Sequence, residues 1–516
     1  MAREATASFI HELRLLPTPA QSKVLDVRLN ISRQIYNACL GEALKRLRLV
    51  RQSKEYTRAL KLPKKVKGST GKLILNKERS ELFKASNIKY RFREYDLHAF
   101  VKYQKTLWIT DHVDSHTAQK LATRAFKAVQ EYAIGKRGKP RFRGANRFAS
   151  VEGKSNAAGI RWDQGRIKWL KGVEIKAKFD LKDKHGLEAY ALSCRTKYVR
   201  LVRRVIKGNA IWYAQLVQEG TPYIKGKNTI SKATVGLDIG PSTIAVVGEE
   251  GASLQAFCPE VDDYAPQIKQ LQRHIARSMR LNNPANYAAD RFIKNANGKL
   301  IKKQGKSKKG CTKWHKSNKY LQLQAQLAEL SRKMASARKA SQGKLANNIL
   351  KQGRIIKTEK LSYKGFQKNF GKSIGKRAPG LLLEILRRKA ANAGGEVIEF
   401  NTRTTALSQS CQCGNRKKKA LKDRWHECHS CGIKAQRDLY SAYLACFVQD
   451  NRLDAIQAQG AWTGVGILLE QAVSNLKETT TSKTCLASFG LNQRQSCLSV
   501  KEESMHTSAL NVVAIA

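Results

Sequence analysis

The strongest constraint on how this chain can fold is its positive charge. Its 516 residues include 97 Lys and Arg against 40 Asp and Glu, which gives a formal net charge of +57. A charge of that size repels itself in a compact state and is tolerable where a polyanion neutralises it. Hydrophobic residues still make up 41% of the sequence, so a folded core is possible. The sequence therefore predicts two to four domains that bind nucleic acid, rather than a basic enzyme with solvated lysine surfaces.

The N-terminal sequence has no apolar segment and no cleavage signal of the secretory type, and no stretch is apolar enough to span a membrane. We therefore expect a cytoplasmic protein, associated with the nucleoid and without a membrane partner. Four of the 11 Cys residues cluster between positions 411 and 431. In a cytosolic chain, such clustering indicates a metal site rather than disulfides.

Residue patterns in the first half of the chain predict helices followed by short strands. Residues 7–15 predict a strand, 20–50 a helix, 61–72 a loop rich in Lys and Gly, and 80–134 a mostly helical segment. From 150 to 228, alternating stretches such as AYALSC, KYVRLVRRVI and AIWYAQLV predict antiparallel strands, which we interpret as a small barrel.

The second half predicts a mixed α/β arrangement. Residues 234–248 read as strand, tight turn and strand, and residues 320–340 have the apolar spacing of a long helix. Two more strands are predicted at 354–361 and 395–401, with a helix at 380–392 between them. After residue 450 the basic excess fades while Ser, Thr and Gln increase, so we expect a peripheral or partly disordered extension there.

Three acidic residues lie at the ends of these predicted elements. Asp238 ends an apolar strand before Gly-Pro, Glu359 ends the strand RIIKTE, and Asp438 lies in the first turn of the helix in QRDLYSAYLA. Taken singly, they are typical of a turn residue, a surface residue and a residue that favours a helix N-terminus. Their order along the chain fits an RNase H-like mixed sheet, in which two strand ends and one helix converge on one point.

Converging carboxylates repel each other unless a cation lies among them. Oxygen ligands select Mg²⁺ or Mn²⁺, and two such ions can hold the attacking water and the leaving oxygen of a phosphodiester in line. We therefore predict a site for two Mg²⁺ or Mn²⁺ ions, with Asp238 as the bridging ligand and with Glu359 and Asp438 completing it.

The four clustered cysteines form two close pairs, each followed by glycine. Cys428 and Cys431 have the CxxC spacing of a zinc knuckle, whereas Cys411 and Cys413 form a CxC pair that is one residue shorter. We predict one structural Zn²⁺ held by these four thiolates. The alternatives are a degenerate site and replacement of a ligand by His426 or His429. The basic residues between the two pairs would form a phosphate-binding surface: Arg416, Lys417, Lys418, Lys419, Lys422 and Arg424.

Two further segments have a composition typical of nucleic-acid binding. Residues 295–319 include KKQGKSKKGCTKWHKSNK, which has eight Lys and no acid, so it forms either a solvated loop or a phosphate-neutralising one. Residues 82–108 interleave aromatic and basic side chains, which suits base stacking or packing in a helical core: Tyr90, Phe92, Tyr95 and Tyr103.

These motifs together resemble those of the TnpB proteins, the RuvC-like nucleases carried by insertion sequences, whose plan type V CRISPR effectors share. The resemblance is carried by GLDIGPSTIAVV, by IIKTEKLSYKGFQK, by the cysteine pairs before QRDLYSAYLA, and by the opening residues FIHELRLLPTPAQSKVLDVRLNISRQIYNACL. It covers residues 7 to about 446, more loosely from 45 to 130. It implies that Asp238, Glu359 and Asp438 are the catalytic metal ligands and that the four cysteines bind zinc.

The resemblance also implies a guide RNA and double-stranded target DNA as partners, with DNA cut beside a short flanking motif. The fold class it implies is α/β: an RNase H-like (RuvC) nuclease domain with an inserted zinc ribbon, and an N-terminal β-barrel (wedge) lobe with a helical insertion. The corresponding boundaries are 1–50 and 135–228 for the wedge barrel, 51–134 for the helical recognition insert, 229–402 and 436–447 for the nuclease domain, 403–435 for the zinc ribbon that binds target nucleic acid, and 448–516 for the C-terminal extension.

Three other functions remain open on the sequence: a compact type V CRISPR effector, an RNA-guided DNA binder or repressor without cleavage, and a strand-joining transposase. A pure binder has no need of clustered carboxylates. A transposase would act at transposon ends without RNA. We therefore expect an RNA-guided DNA endonuclease, and bound RNA is the observation that separates it from the transposase.

Overall fold

The chain divides into two compact units, Met1–Lys225 and Gly226–Ala516. Parts of the predicted Lys-rich loop (68–71), of the aromatic segment (104–106), of the basic insert (295–297) and of the C-terminal extension (482–484 and 492–516) lie outside the described residues. Within the described part of the chain, no helix is long and apolar enough to cross a membrane. The computed structural model describes residues 6–67, 72–103, 107–170, 172–226, 228–294, 298–420, 422–481 and 485–491.

The first unit contains an antiparallel sheet and a group of helices. The longest described helix of this unit begins at Pro19, where Thr18 and Gln21 form a reciprocal capping box that satisfies two otherwise unpaired N–H groups. The strands are β1 (Ser8–Leu15), β2 (Lys65–Lys67), β3 (Leu73–Leu75), β4 (Ser150–Glu152), β5 (Arg161–Asp163), β6 (Arg166–Lys168), β7 (Glu174–Lys178), β8 (Thr196–Ile206) and β9 (Asn209–Glu219), and the helices are α1 (Pro19–Gln52), α2 (Lys54–Lys61), α3 (Lys77–Lys89), α4 (Glu94–Tyr103), α5 (Leu107–His112), α6 (Ser115–Ala133) and α7 (Leu187–Ser193).

Seven of the described strands form one sheet in the order β4-β8-β9-β1-β7-β6-β5. Its neighbours pair antiparallel, as predicted for 150–228. The core between this sheet and the helices includes residues of α1 and α6, among them the predicted stripes Ile35, Cys39 and Leu121, Ala125. Helices α3 to α6 agree with the mostly helical prediction for 80–134, whereas residues 65–67 of the predicted loop form β2, which pairs antiparallel with β3.

One strand predicted in this unit is wrong. The segment AYALSC forms most of α7, which begins after Gly186 in the left-handed conformation. The Asp183 carboxylate accepts hydrogen bonds from the backbone N–H groups of Glu188 and Ala189. It thereby satisfies N–H groups in the first turn of the helix that have no partner within the helix. Alternation of Ala with larger side chains over six residues did not distinguish the two structures, and Ala and Leu favour the helix.

The second unit contains the longest helix of the chain, which extends the predicted 320–340 helix in both directions. Its strands are β10 (Thr234–Ile239), β11 (Thr243–Val247), β12 (Ala252–Ala256), β13 (Arg291–Lys294), β14 (Leu300–Lys303), β15 (Ile355–Glu359), β16 (Glu396–Phe400), β17 (Trp425–Glu427), β18 (Lys434–Gln436), β19 (Val448–Gln449) and β20 (Arg452–Leu453), and its helices are α8 (Ala265–Leu281), α9 (Asn318–Gln352), α10 (Tyr363–Arg377), α11 (Pro379–Asn392), α12 (Thr402–Thr405), α13 (Arg437–Cys446) and α14 (Ala455–Thr479).

Five described strands of this unit form a mixed sheet in the order β12-β11-β10-β15-β16. The first three pair antiparallel, as a meander, and β10, β15 and β16 pair parallel. The parallel connection from β15 to β16 passes through α10 and α11, because parallel neighbours need a crossover. The chain is thus a mixed α/β protein.

Each face of this sheet is covered by helices. Val235, Leu237 and Ile239 of β10 pack in a core with α9 and α11, which fixes one face. On the other face, residues of β11 and β12 pack with α13 and α14. Because successive residues of a strand alternate between faces, Gly236 and Asp238 point toward α13.

The prediction for the C-terminal extension is wrong over residues 455–479. This stretch forms α14, and its Leu469, Val473 and Leu476 are buried in the same core as α13. The segment has apolar residues at helical spacing. The prediction missed them because it used the overall composition after residue 450, in which Ser, Thr and Gln increase.

Candidate functional site

The structure places Asp238 and Glu359 side by side on neighbouring parallel strands. Leu237 of β10 pairs with Thr358 of β15, so the next residue on each strand lies beside its partner and points to the same face. On the other side, Asp238 pairs with Ala245 of β11, whose side chain belongs to the core under α13. Both carboxylates therefore face α13, at the ends of their strands.

A glycine lets α13 approach this face closely. A Cβ atom at Gly236 would lie 1.8 Å from the carbonyl oxygen of Ala442, so only glycine fits there. Since Gly236 meets the later part of α13, the helix runs antiparallel to β10 and its first turn lies beside the strand end. That turn contains Asp438, which is thereby brought to Asp238.

The far end of α13 is held by a lysine of the neighbouring strand. Lys357 of β15 donates hydrogen bonds of 2.9 Å to the carbonyl oxygens of Cys446 and Val448. Cys446 is the last residue of α13, where a cation is favourable, and Val448 lies two residues beyond it. We had not predicted a role for Lys357, although a charged residue inside the apolar strand RIIKTE was a visible signal.

Burial raises the pKa values of all three carboxyl groups, and repulsion by the other two raises that of Asp238 further. The pKa of Asp238 lies well above its usual range, first because of burial and then because of the charges of Asp438 and Glu359. Burial raises the pKa of Glu359 to about 7, against a hydrogen bond to the backbone of Leu407. Burial also raises the pKa of Asp438. All three side chains remain partly exposed, so solvent and a ligand can reach them.

Two arginines partly offset this negative charge. Arg437 and Arg424 lower the pKa of Asp438, against the larger effect of burial. The Nε atom of Arg437 lies 3.5 Å from the Asp438 carboxylate, and its Nη1 donates to the carbonyl oxygens of Ala420 and Asp423 at 3.2 and 2.7 Å. Arg437 was missed at the sequence level, because nothing in its position before Asp438 indicates burial.

The carboxylates and the cysteines differ in how tightly they are gathered. Among the described residues, the only group of at least three His, Cys, Asp and Glu side chains close enough to hold one ion is the four cysteines, whose sulfur atoms lie within 4.8 Å of one another. The three carboxylates are not gathered as tightly as the cysteines. Two ions roughly 3.5–4 Å apart require such a wider arrangement.

The four sulfur atoms have spacings that suit zinc. The sulfur atoms of Cys411 and Cys431 lie 3.5 Å apart, and those of Cys413 and Cys428 lie 3.6 Å apart. Tetrahedral zinc with bonds of about 2.3 Å sets neighbouring sulfur atoms about 3.8 Å apart. The residues present therefore fit one structural metal ion.

Both cysteine pairs turn in the same way despite their different lengths. Gly414 and Gly432 adopt the left-handed conformation, and their N–H groups donate to the carbonyl oxygens of Cys411 and Cys428. Glycine adopts this conformation without steric cost. The CxC pair thus closes a turn like that of the CxxC pair, and it brings both of its thiols into the cluster.

The two histidines are not in the cluster of thiols. The ring of His426 packs on Tyr440 with centroids 4.2 Å apart, and its Nδ1 contacts the Lys419 ammonium. Burial, followed by the charge of Lys419, lowers the pKa of His426 to about 4. Tyr440 also lies 3.4 Å from the sulfur of Cys411 and accepts a hydrogen bond from the backbone of Gln412. The helix that carries Asp438 therefore packs directly on the cysteine cluster.

The predicted nucleic-acid contacts divide according to burial. Of the basic residues between the cysteine pairs, Lys419 and Arg424 are half-buried, the latter acting on Asp438, and the rest are exposed. In the aromatic segment 82–108, Phe92 is buried against Phe126, whereas Tyr95 and Tyr103 are more than four-fifths exposed. Tyr90 is partly buried and packs against the same core, so core packing holds for two of the four aromatics and two are available for stacking. The exposed basic residues are Arg416, Lys417, Lys418 and Lys422.

Comparison with protein families gives a match over the segment just described. Residues 380–444 match the family model Cas12f1-like, TNB domain. The matched residues extend from α11 through the cysteine pairs to α13 and include Asp438. No curated protein matches the chain. The match supports the predicted relationship to type V CRISPR effectors over this segment, and the assignment to TnpB stays a prediction.

Solved structures give more distant similarities. The chain is similar to that of the cryo-EM structure of the Cas12f1–sgRNA–target DNA complex, with 12% identity over 85% of this chain and 98% of the other and a TM-score of 0.42. It is also similar to CasPhi-2 (Cas12j) bound to crRNA and phosphorothioate-DNA, with 11% identity over 89% and 92% of the two chains and a TM-score of 0.30. Because both TM-scores lie below 0.5, no functional conclusion follows from them.

Proposed function

We propose that this protein is an RNA-guided DNA endonuclease of the TnpB and type V effector class, with an RNase H-like (RuvC) catalytic domain. The observation that carries the proposal is the arrangement of Asp238, Glu359 and Asp438, which come from three distant parts of the sequence and interact at one end of the mixed sheet. The 3-2-1-4-5 strand order of that sheet, counted along the chain from β10, supports the RNase H-like assignment.

The three carboxylates are the proposed ligands of two Mg²⁺ or Mn²⁺ ions, with Asp238 between the other two. Bound there, the ions would supply the positive charge that stabilises the attacking water and the leaving oxygen of a phosphodiester. The chain's own residues fix the geometry. Gly236 allows α13 to lie close to β10, Lys357 binds the far end of α13, and Arg437 orients Asp438. Since protonated carboxyl groups bind cations poorly, their raised pKa values make binding depend on pH.

The four cysteines are the proposed ligands of one structural Zn²⁺. Such an ion would tie the two turns together and so support Tyr440 and α13. Elemental analysis of the purified chain should give one zinc per molecule, and Cys428→Ser should lose it along with DNA cutting. A full-length Cys428→Ser protein that keeps zinc would contradict the assignment, and Cys194→Ser is the matched control at a half-buried cysteine far along the chain.

The proposed partners are a guide RNA and double-stranded target DNA. A chain with 97 basic residues can hold a heteroduplex through its backbone while base pairing reads the sequence. Exposed basic residues between the cysteine pairs are suited to hold a nucleic-acid strand. The binder and transposase alternatives have no observation of their own in their favour.

The decisive experiment sequences the RNA that co-purifies with the full chain and assays cutting of a matching plasmid in Mg²⁺. We expect a discrete RNA species and cutting that requires a sequence matching it. Asp238→Ala should abolish cutting and leave DNA binding within about twofold, and the exposed Asp263→Ala should cut normally. Cutting by Asp238→Ala would refute the site, and cutting without any RNA would refute the guided mechanism.

A further inference from the structure

A strongly basic insertion separates the first and second predicted ligand strands. Between residues 264 and 328 the sequence holds 15 Lys and Arg and a single acid, Asp290. The insertion includes α8, the two-stranded sheet of β13 and β14, and the start of α9. We call the strands Arg291–Lys294 and Leu300–Lys303 the basic ribbon.

The single acid fixes the base of the basic ribbon. Asp290 accepts a hydrogen bond of 2.8 Å from the backbone N–H of Gly305 and lies 3.4 Å from Arg280 and 3.3 Å from Lys302. Arg280 also donates to the carbonyl oxygen of Gly305 at 2.6 Å. A Cβ atom at Gly305 would lie 1.8 Å from the carbonyl of Ala288, so the two sides of the base are in close contact.

A second set of contacts supports the same base. The Asn283 side chain donates to the carbonyl oxygen of His315 at 2.9 Å and accepts from its N–H at 2.7 Å. The rings of Tyr287 and Trp314 meet edge to face, 5.7 Å apart, and Arg280 lies 4.3 Å from the Tyr287 ring centre. The ribbon is therefore presented from an ordered support rather than from a loose loop.

The ribbon itself buries none of its described side chains. All eight strand residues are exposed, including Phe292 at 68% and Leu300 at 61%. Arg291 pairs directly with Lys303, which places like charges opposite each other and is unfavourable. A two-stranded ribbon has little stability of its own. Its charge and exposure therefore indicate a partner that is a polyanion.

The shape of the ribbon selects among polyanions. A two-stranded ribbon fits the major groove of B-form DNA, which is about 12 Å wide, whereas the major groove of an RNA duplex is too narrow to admit side chains. Both faces of the ribbon combine basic and apolar groups: Arg291, Ile293, Ile301 and Lys303 lie on one, and Phe292, Lys294, Leu300 and Lys302 on the other.

The helix that leads into the ribbon adds a row of charges. Lys269, Arg273 and Arg277 lie four residues apart on one face of α8, and all three are exposed. Successive members rise about 6 Å along the helix, which suits contacts with a phosphate backbone. None of the described residues of α8 is buried.

We infer that the basic ribbon binds double-stranded DNA. The ribbon enters the major groove, and its binding does not depend on the sequence that the guide RNA recognises. The inference rests on the proposed function in taking DNA as the partner, but the binding it describes needs neither guide RNA nor cutting. Arg291, Lys294 and Lys303 make no ion pair with another described residue, and they are the side chains assigned to phosphates.

The test uses the full chain, freed of nucleic acid by high salt and assayed without divalent ions. Its probe is a 30-base-pair DNA duplex unrelated to any guide, and the RNA duplex of the same sequence is the comparison. The triple variant Arg291→Gln, Lys294→Gln, Lys303→Gln should bind the DNA at least about tenfold more weakly at 0.1 M salt and should lower the slope of log K against log salt by roughly 2–3.

The charge-conserving variant Arg291→Lys, Lys294→Arg, Lys303→Arg is the matched control and should bind like the unmodified chain. Equal DNA binding by the Gln variant would overturn the inference. An equal loss of RNA-duplex binding would overturn the assignment to B-form DNA. Failure of the nuclease proposal would appear instead in the cutting assay, which this measurement does not use.

Discussion

The side chain whose ionisation is most open to test is Glu359. Its pKa, raised by burial to about 7, means that the metal-free folded state resists its ionisation. A carboxyl group with a raised folded-state pKa contributes its full stability below its unfolded pKa, near 4.5, and that stability is lost as pH rises through about 7. The metal-free protein should therefore lose stability between about pH 4.5 and pH 7.

Glu359→Gln removes this penalty while keeping the shape of the side chain. In metal-free buffer at pH 8, the variant should be more stable than the unmodified protein by up to about 3 kcal/mol, and the difference should vanish near pH 4. Denaturant unfolding at the two pH values measures it. Glu396→Gln, at an exposed position on the neighbouring strand, is the control and should have no such effect. A destabilised Glu359→Gln protein at pH 8 would contradict the electrostatic account of the site.

At the residue scale, the sequence predicted the carboxylates and the thiols but not the residues that position them. Singly, Asp238, Glu359 and Asp438 each have an ordinary structural role; they are singled out by their order along the chain and by motifs that resemble those of TnpB proteins. Lys357 gave one signal, a charge inside an apolar strand, but the carbonyl oxygens that Lys357 and Arg437 contact could not be predicted. The partners in such contacts are set by tertiary packing, which local sequence patterns do not specify.

Among the elements, α13 has the most demanding fit, since its backbone touches β10. Gly236→Ala would place a methyl group against the carbonyl of Ala442, which requires the helix to move. We expect a loss of stability of roughly 1–3 kcal/mol or more, together with loss of DNA cutting, because Asp438 moves with the helix.

Thermal unfolding and the plasmid assay measure the two effects of Gly236→Ala. The control is Gly343→Ala in α9, where a Cβ meets nothing within 4 Å and alanine should stabilise the helix by up to about 1 kcal/mol. If Gly236→Ala unfolds and cuts like the unmodified protein, α13 does not depend on this contact.

The C-terminal helix α14 is the element for which composition was most misleading. Leu469 is 2% exposed in the core beside α13, whereas Ile467 is 57% exposed on the same helix. Leu469→Ala should destabilise the protein by about 2–5 kcal/mol, and Ile467→Ala by less than about 0.5 kcal/mol. Denaturant unfolding of the full chain distinguishes them, and equal effects would mean that α14 is not part of this core.

Helices with a strong apolar period were predicted close to their observed bounds in α1 and α11, whereas α9 (Asn318–Gln352) extends well beyond the predicted 320–340. Errors occurred where the period was short or where polar residues surrounded it, as in α7 and α14. The order of strands and helices along the chain predicted how the strands of the five-stranded sheet are connected. The small barrel proposed for the first unit stays a prediction, because the observed sheet is described by its pairings alone.

Over the whole molecule, the excess of 57 positive charges makes salt act in opposite directions on two states of the protein. Without nucleic acid, like charges repel within the folded chain, and salt screens that repulsion. With RNA bound, stability includes the binding free energy, and salt weakens it because neutralised phosphates regain their counterions.

Raising salt from 0.05 to 0.5 M should therefore increase the melting temperature of the nucleic-acid-free protein, by about 2–4 °C for each kcal/mol of repulsion removed. The same change should decrease the melting temperature of the RNA complex. Scanning calorimetry of both forms measures the two slopes, and an uncharged osmolyte at equal osmolality is the control for effects other than screening. If the melting temperatures of both forms changed with salt in the same direction, the positive charge would already be balanced within the protein. The protein would then not require a large polyanion as a partner.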